Sequence, residues 1–229
     1  MILLIAAALV AAGIAPFSTQ PPGSQLPDGW RELRLADIKP AELALVADEG
    51  ATVLRVRSNA AAGTAAYALR ASPAGTQLAW KWKIDRVVEK ADLASKAGDD
   101  FAARVYVFFE VPMASLPWGE RMKLRIARLL HGNDVPSAGI CYVWDNRHPP
   151  GTSRWNPYTD RVRTVVVESG NERAGRWIDE RRDVEADFRA AFGGQAMPPI
   201  TGIAAGNDTD QTGESATAWF GDFRFEERR

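Results

Sequence analysis

The sequence has little cysteine, little histidine and almost no net charge, and each shortage excludes a class of protein. Cys141 is the only cysteine among the 229 residues, so an intramolecular disulfide and a cysteine-based zinc site are both excluded. Two histidines are too few for a metal site built from three of them. The net charge is −1, whereas general nucleic-acid-binding proteins carry an excess of positive charge. We therefore expect no nucleic-acid partner.

The chain also lacks the short motifs that mark common catalytic sites. It contains no G-x-S-x-G nucleophile elbow, no phosphate-binding Walker loop, no G-x-G-x-x-G turn and no H-E-x-x-H zinc motif. A serine–histidine–aspartate triad could be assembled only around His148, in the turn-rich run DNRHPPG. These absences favour a binding protein, with catalysis as the alternative.

The N-terminal run MILLIAAALVAAGIA, residues 1–15, carries no charged side chain. Its apolar stretch is too short to cross a bilayer comfortably, and the small residues Gly13 and Ala15 are typical of the end of a signal peptide. We therefore predict a signal peptide over residues 1–15, and a periplasmic or secreted protein with no integral membrane domain after cleavage. No lysine or arginine follows Met1, so an uncleaved anchor is the alternative.

The rest of the chain indicates a linker and one domain. Residues 16–29 are rich in Pro, Gly, Ser and Gln, a composition typical of a linker. From Trp30 onwards, short apolar runs alternate with turn signals. In LAWKWKID, residues 78–85, apolar and charged side chains alternate with a period of two, as in a half-buried strand. Residues 30–229 are therefore predicted to form a single β-sandwich domain.

The predicted fold is all-β: an antiparallel β-sandwich of jelly-roll type with one or two inserted helices. The first helix covers SLPWGERMKLRIARLLHG, residues 115–132, and has a basic face opposite an apolar stripe. The second covers DVEADFRAAFGG, residues 183–194, with Asp183 as N-cap and Gly193 at its end. The basic face of the first helix leaves open a role as a periplasmic structural or assembly partner.

Two adjacent acids run directly into a mostly apolar strand in AGDDFAARVYVFFE, residues 97–110. A carboxylate next to apolar surface is costly unless something pairs with it. For Asp99 and Asp100 that partner is a bound cation, a bound ligand, a reacting group, or an arginine at a polar strand end. Arg104 and Tyr106 share the polar face of this strand and are candidate ligand-binding residues.

The most suggestive loop is YVWDNRHPPGTSRWNPYTDRVR, in which aromatic and polar residues are interleaved. Sugar recognition combines aromatic rings that stack on C–H faces with polar side chains that bind hydroxyl groups. Long loops between strands are often functional. The alternative is that the aromatic residues hold the loop on the core. The candidate ligand-binding residues in this loop are Trp144, Asp145, Trp155, Asn156 and Tyr158.

The run NDTDQTGES, residues 207–215, has the spacing of the first half of a calcium-binding loop. Trp219 occupies the position of the bidentate glutamate, so the run is not an EF-hand. Asp208 and Asp210 could still bind a structural calcium ion that a distant residue such as Asp222 or Asp99 completes. The alternative is a hydrated turn before the last strand, and we expect no other cofactor.

Glu168, at the end of RVRTVVVESG, is the best lone candidate for a general acid or base, since a carboxylate in that setting could have a raised pKa. A glycosidase needs two opposed carboxyl groups at a defined separation. Such a pair could be Asp99 or Asp100 together with Glu168 or Asp208. A carbohydrate-active hydrolase with such a pair is therefore the catalytic alternative.

Three long runs carry a resemblance to a known family. They are WKWKID…ADLASKAGDDFAARVYVFFE, NPYTDRVRTVVVESG and PPITGIAAGNDTDQTGESATAWFGDFRFE, and the similarity extends from about Trp30 to the end. They resemble a bacterial exported family known only as a domain of unknown function, the DUF3047 group. The resemblance implies an exported bacterial protein and no established reaction, cofactor or catalytic residue.

The closing pattern GIAAGNDTD…ATAWFGDFRF is more loosely similar to the last strands of sugar-binding jelly-roll domains, in which an aspartate often helps to hold a structural calcium. The interleaved loop, the polar face with Arg104 and Tyr106 and the missing catalytic motifs favour a non-catalytic module of the cell envelope. Its expected ligand is a carbohydrate or a small polyol, and its oligomeric state is left open.

Overall fold

The computed structural model describes residues 13–34, 37–111 and 137–228. The predicted basic helix at residues 115–132 and most of the predicted signal peptide lie outside these described residues. Both therefore stay predictions, as does the assembly role that depended on the helix. Within the described ranges, no helix is long and apolar enough to cross a membrane.

Two β-sheets packed face to face form the domain and confirm the predicted all-β sandwich. The seven-stranded sheet contains, in spatial order, β1 (Trp30–Leu33), β4 (Ala62–Ala68), β11 (Ile200–Asp208), β6 (Phe101–Phe109), β7 (Ala138–Asp145), β9 (Thr159–Ser169) and β8 (Ser153–Asn156). The six-stranded sheet contains β10 (Ile178–Asp183), β5 (Gln77–Ile84), β12 (Ser215–Phe220), β3 (Ala51–Asn59) and β2 (Glu42–Asp48), and β13 (Arg224–Glu226) also pairs with β5.

The core between the sheets is built by strands that point every second side chain inward. On β5 the four apolar residues that share one face, Trp80 and Trp82 among them, are at most 2% exposed. Their rings meet Tyr142 and Trp144 of β7, with centroids 5.5 Å and 5.7 Å apart across the two sheets. The predicted period of two in β5 is therefore confirmed, and it sets which rings form the core.

β7 and β9 run parallel, which departs from the predicted antiparallel arrangement. The chain reverses after β7 to form β8 and reverses again to form β9, so β9 has the direction of β7. β9 then lies between β8 and β7, and β8 becomes the edge strand. This insertion places Glu168 of β9 beside Trp144 of β7.

The helix α1 (Val184–Ala191) confirms the second predicted helix. Its N-cap is Asp183, whose side chain accepts a hydrogen bond from the backbone N–H of Ala186 at 3.1 Å. Phe188 is 1% exposed and packs into the core between the sheets. The helix ends before Gly193, which has a φ of +66° that favours glycine.

The segment predicted as a linker, residues 16–29, packs against the sandwich. Phe17 has no exposed surface, and its ring contacts Trp30 and Phe223 at centroid distances of 4.7 Å and 6.4 Å. A composition rich in proline and glycine suits irregular backbone, whether that backbone is mobile or packed. The single aromatic residue in the segment fixes it to the core.

Candidate ligand site beside the start of β6

Four aspartates meet at one end of the seven-stranded sheet. Asp99 and Asp100 directly precede β6, and Asp208 is the last residue of β11. Because the two strands are antiparallel, the start of β6 lies beside the end of β11, and Asp208 pairs with Phe101. Asp210 follows in the next turn. We call Asp99, Asp100, Arg104, Asp208 and Asp210 the acid–arginine cluster.

Arg104 is the central cation of this cluster and is only 5% exposed. Its guanidinium donates to the carboxylate of Asp208 at 2.7 Å and to that of Asp99 at 3.5 Å. It also donates to the backbone carbonyl of Asp99 and to the hydroxyl of Tyr106, the latter at 3.1 Å. Arg104, Tyr106 and Asp99 were all predicted site residues, and the structure brings them together.

Asp100 has a structural role within the same cluster. Its side chain has no exposed surface and accepts hydrogen bonds from the backbone N–H groups of Thr212 at 2.7 Å and Gln211 at 3.5 Å. Backbone donors stabilise a buried carboxylate. Asp100 therefore ties the turn after β11 to the start of β6, and Asp99 is the neighbour that pairs with Arg104.

Burial and crowding of like charges shift the proton affinities of the cluster. Burial raises the pKa of Asp208 to about 7, and the neighbouring aspartates add to the rise while Arg104 opposes it. Burial and Asp100 likewise raise the pKa of Asp210. Burial by itself lowers the pKa of Arg104. The negative charge of Asp208 and its neighbours has the larger effect, so the pKa of Arg104 is raised. The guanidinium pairs with two of the four carboxyl groups, Asp99 and Asp208, while Asp100 accepts from backbone N–H groups.

The turn between β8 and β9 adds an amide and an aromatic ring to the cluster. The side-chain amide of Asn156 donates to the carboxylate of Asp99 at 2.9 Å. Its oxygen accepts from the backbone N–H of Tyr158 at 3.0 Å, which fixes the turn. The Tyr158 hydroxyl donates to the carbonyl of Lys96 at 3.2 Å, yet the residue stays 55% exposed. Two of the predicted loop residues therefore reach the acid–arginine cluster.

Both tryptophans that were predicted to bind the ligand lie away from the acid–arginine cluster. Trp144 is 1% exposed, and its indole N–H donates to the carbonyl of Gly170 at 3.0 Å. Trp144 lies in the core, where no ligand can stack on it. Trp155 is 37% exposed, but its ring lies 5.4 Å from that of Phe192 and 5.1 Å from the guanidinium of Arg163. Trp155 therefore packs beside α1 and not at the cluster.

Asp145, the remaining predicted ligand residue, organises the turn after β7. It has no exposed surface and accepts from the backbone N–H groups of Arg147 at 2.8 Å and His148 at 2.6 Å. The His148 ring also lies 3.1 Å from it. Among the described residues, no serine hydroxyl hydrogen-bonds to this ring, so the two residues form a turn and no triad.

Three carboxylates of the cluster could hold a hard cation such as Ca²⁺, which prefers oxygen ligands. Asp100, Asp208 and Asp210 each offer an oxygen, and these atoms lie within 4.8 Å of one another. Two of the predicted metal ligands are thus brought together, and Asp100 is the third member. The third predicted ligand, Asp222, lies elsewhere: its carboxylate accepts a hydrogen bond from the backbone N–H of Ser18 at 3.0 Å, in the N-terminal segment.

Glu168 lies against Arg173 and Glu180 of the facing sheet, so of the two carboxyl groups predicted to act with Asp99 or Asp100, the structure brings Asp208 to them and not Glu168. Its carboxylate pairs with Arg173 and approaches Glu180 of β10. Burial, with help from Glu168, raises the pKa of Glu180 to about 7. Glu180 was not among the predicted site residues. Period-two alternation in RWIDERR could have found it, because it shares a strand face with the buried Ile178.

A family model described as "Protein of unknown function (DUF3047)" matches residues 28–224. The chain belongs to the DUF3047 family. This confirms the resemblance carried by the sequence, and the family assignment supplies no function for the DUF3047 chain. A comparison with curated proteins gave no match.

Several solved structures are similar to this DUF3047 chain at low sequence identity. The xyloglucanase domain of NopAA from Sinorhizobium fredii aligns with a TM-score of 0.48 and 8% identity, over 91% of this chain and 97% of that one. The family 11 carbohydrate-binding module from Clostridium thermocellum aligns with a TM-score of 0.42 and 8% identity, over 89% of this chain and 91% of that one. The catalytic domain of Humicola grisea Cel12A aligns with a TM-score of 0.45 and 8% identity, over 88% of this chain and 94% of that one.

Proposed function

We propose that this chain is a non-catalytic binding module of the bacterial cell envelope, and that its ligand is a carbohydrate or a small polyol. The observation that carries the proposal is the position of Tyr158. Its ring is 55% exposed, and it follows Asn156, whose amide is bonded to Asp99 of the acid–arginine cluster. An exposed ring beside a group of hydrogen-bond acceptors is what a sugar needs.

The chemistry of the cluster supports a neutral ligand with several hydroxyl groups. Carboxylates accept hydrogen bonds from hydroxyl groups, and the cluster has more carboxylates than its one guanidinium can pair with. The ring of Tyr158 is 55% exposed although the ammonium of Lys96 lies 5.1 Å from its centroid, and its open surface suits stacking of C–H groups. The excess of negative charge disfavours anionic ligands, such as phosphates, at this site.

Glycan-array screening followed by calorimetry tests the proposal, with envelope and plant polysaccharides as probes. We expect Tyr158→Ala to weaken binding at least about tenfold, because it removes the exposed ring. Asn156→Ala should also weaken binding, since it releases the turn from Asp99. Each titration is run with calcium and after treatment with EDTA, because three cluster carboxylates could bind a cation.

Trp155→Ala is the matched control, because it removes an aromatic ring of the same turn region that packs beside α1. It should leave the affinity unchanged. Equal loss in the Trp155→Ala and Tyr158→Ala variants would contradict the assigned site. A complete lack of binding across the polysaccharide panel would remove the proposed function.

Hydrolysis of a carbohydrate is the second candidate, and the raised pKa of Asp208 favours it. A carboxyl group with a pKa of about 7 is suited to donate a proton, and Asp99 and Asp100 lie beside it. Release of reducing ends from the bound polysaccharide, and its loss in Asp208→Asn, would support this candidate. Binding without release would leave the non-catalytic module.

A further inference from the structure

A groove crosses the outer face of the six-stranded sheet, near the end at which β3 stops and β12 begins. Thr217 of β12 pairs in register with Arg57 of β3, and Arg57 pairs in register with Glu42 of β2. Asp85 follows directly after β5, and its backbone N–H donates to the carbonyl of Thr217 at 2.9 Å. These four residues form a row across the strands, and the groove follows that row.

The groove is open to solvent and also has depth. Its volume is about 400 Å³, within the range of roughly 300–1,000 Å³ that is usual for ligand sites. Lys39 and Arg57 line it with exposed side chains, whereas Ser58 and Ala216, which also line it, are 1% exposed. A small molecule can therefore enter from solvent and contact buried surface without any movement of the core.

Positive charge exceeds negative charge among the described residues that line the groove. The cations are Lys39, Arg57 and Arg86, and the acids are Glu42 and Asp85. Both acids already have partners: the carboxylate of Glu42 pairs with Arg55, and that of Asp85 accepts from the backbone N–H of Thr217 at 2.7 Å. Arg86 also donates to Asp85, at 3.3 Å. The negative charge of the groove is therefore compensated within the protein.

Lys39 and Arg57 carry the positive charge that remains. The ammonium of Lys39 donates to the backbone carbonyl of Asn59 at 3.1 Å, which holds it beside the groove. Within the ranges that the structure describes, neither Lys39 nor Arg57 forms an ion pair with a carboxylate. Two exposed cations on one groove attract an anion, and an arginine can hold a carboxylate through two parallel N–H groups.

Beyond Arg86 the groove continues into a second hollow of about 530 Å³ that has a different polarity. The polar side chains that line only this second hollow are Glu89, Asn171 and Glu214. The carboxylate of Glu214 accepts from the backbone N–H groups of Glu89 at 3.0 Å and Lys90 at 2.9 Å. Carboxylates and amides are partners for hydroxyl groups. One end of the cleft therefore suits an anion and the other end suits hydroxyl groups.

We propose that this groove is a second binding site, and that its ligand is an acidic saccharide whose carboxylate pairs with Lys39 and Arg57. The side chain of Thr217 lies in the same row and can bond to a hydroxyl group of that sugar, while a neighbouring sugar extends towards Glu214. The inference does not rest on the proposed function. The groove lies on the other sheet from the acid–arginine cluster and has the opposite sign of charge.

Calorimetric titration of the full chain with trigalacturonate tests the site, with galactotriose as the neutral ligand of the same length. We expect trigalacturonate to bind with a Kd below about 1 mM. The affinity should fall as sodium chloride is added, because salt screens the attraction between exposed charges. Arg57→Gln should weaken binding about tenfold, since it removes a charge-assisted pair. Lys39→Gln should also weaken binding, and both variants should fold because both side chains are exposed.

Arg189→Gln is the matched control, because Arg189 is an exposed arginine on α1 that pairs with Glu185 at 2.8 Å. It should leave the affinity for trigalacturonate unchanged, and a loss equal to that in Arg57→Gln would overturn the proposal. Equal affinity of the Tyr158→Ala variant for galactotriose, or full displacement of trigalacturonate by inorganic phosphate at the same concentration, would overturn the assignment to an acidic saccharide. Tyr158→Ala should bind trigalacturonate as the unchanged chain does, so failure here is distinguishable from failure of the proposed function.

Discussion

The guanidinium of Arg104 donates to the carboxylate of Asp208 at 2.7 Å, although the two residues lie 104 positions apart in the chain. This bond joins the start of β6 to the end of β11 and gathers the other aspartates around one cation. The cluster holds the two strand ends together and also leaves acceptor oxygens next to the exposed ring of Tyr158. Its structural and binding roles are therefore coupled.

Replacement of Arg104 by methionine should destabilise the protein by about 3–5 kcal/mol, because it leaves buried carboxylates without their cation. Chemical denaturation measures this loss, which should be larger at pH 8 than at pH 5, since the carboxylates repel one another most when ionised. Arg34→Met is the matched control: Arg34 is exposed and, within the part of the chain that the structure describes, its ion pair is with Glu32. An equal effect of the two substitutions would contradict a central role for Arg104.

Glu180 should make the protein less stable as the pH rises. Burial and Glu168 raise its pKa to about 7, above the value of about 4.3 in an unfolded chain, while Arg173 and Arg182 oppose the rise. The folded state therefore binds this proton more tightly, and the resulting stabilisation is full below about pH 4 and is lost as the pH rises through about 7. Glu180→Gln should reduce the slope of unfolding free energy against pH by up to about one proton. Glu185→Gln on α1 is the control and should leave the slope unchanged.

Trp144 and Tyr158 should separate stability from binding. Trp144→Ala removes a core ring and should destabilise the protein by about 3–5 kcal/mol. Tyr158→Ala removes an exposed ring and should change the unfolding free energy by at most about 0.5 kcal/mol, while weakening glycan binding. Thermal unfolding and calorimetry on both variants check this, and the reverse pattern would show that the two roles had been assigned to the wrong residues.

Phe17 should behave as a core residue, although its segment has the composition of a linker. Phe17→Ala should cost about 3–5 kcal/mol of unfolding free energy, because the ring is fully buried against Trp30. Gln25→Ala, at an exposed position of the same segment, is the control and should have little effect. Unchanged stability in Phe17→Ala would mean that residues 16–29 act as a free linker after all.

Much of the fold could be predicted because its signals are local. The period of two in β5 predicted a half-buried strand, and the Asp183 cap with Gly193 predicted α1. Another local signal could have corrected one prediction: Trp144 ends the continuous apolar run AGICYVW of β7, which is typical of a strand buried on both faces, and every residue of β7 is buried. The interleaving of aromatic and polar residues after β7, which predicted ligand binding by Trp144, was a weaker signal than this strand pattern.

By itself, the sequence determined an all-β sandwich and the helix α1, and it offered Arg104 as one of several partners for Asp99 or Asp100. These depend on the pleat and on residues a few positions apart. Only the tertiary structure decided that Asp208 completes the cluster and that Glu180 faces Glu168. The physical reason is that both contacts depend on which strands pair and which sheet faces lie opposite each other, and a local pattern carries no information on either.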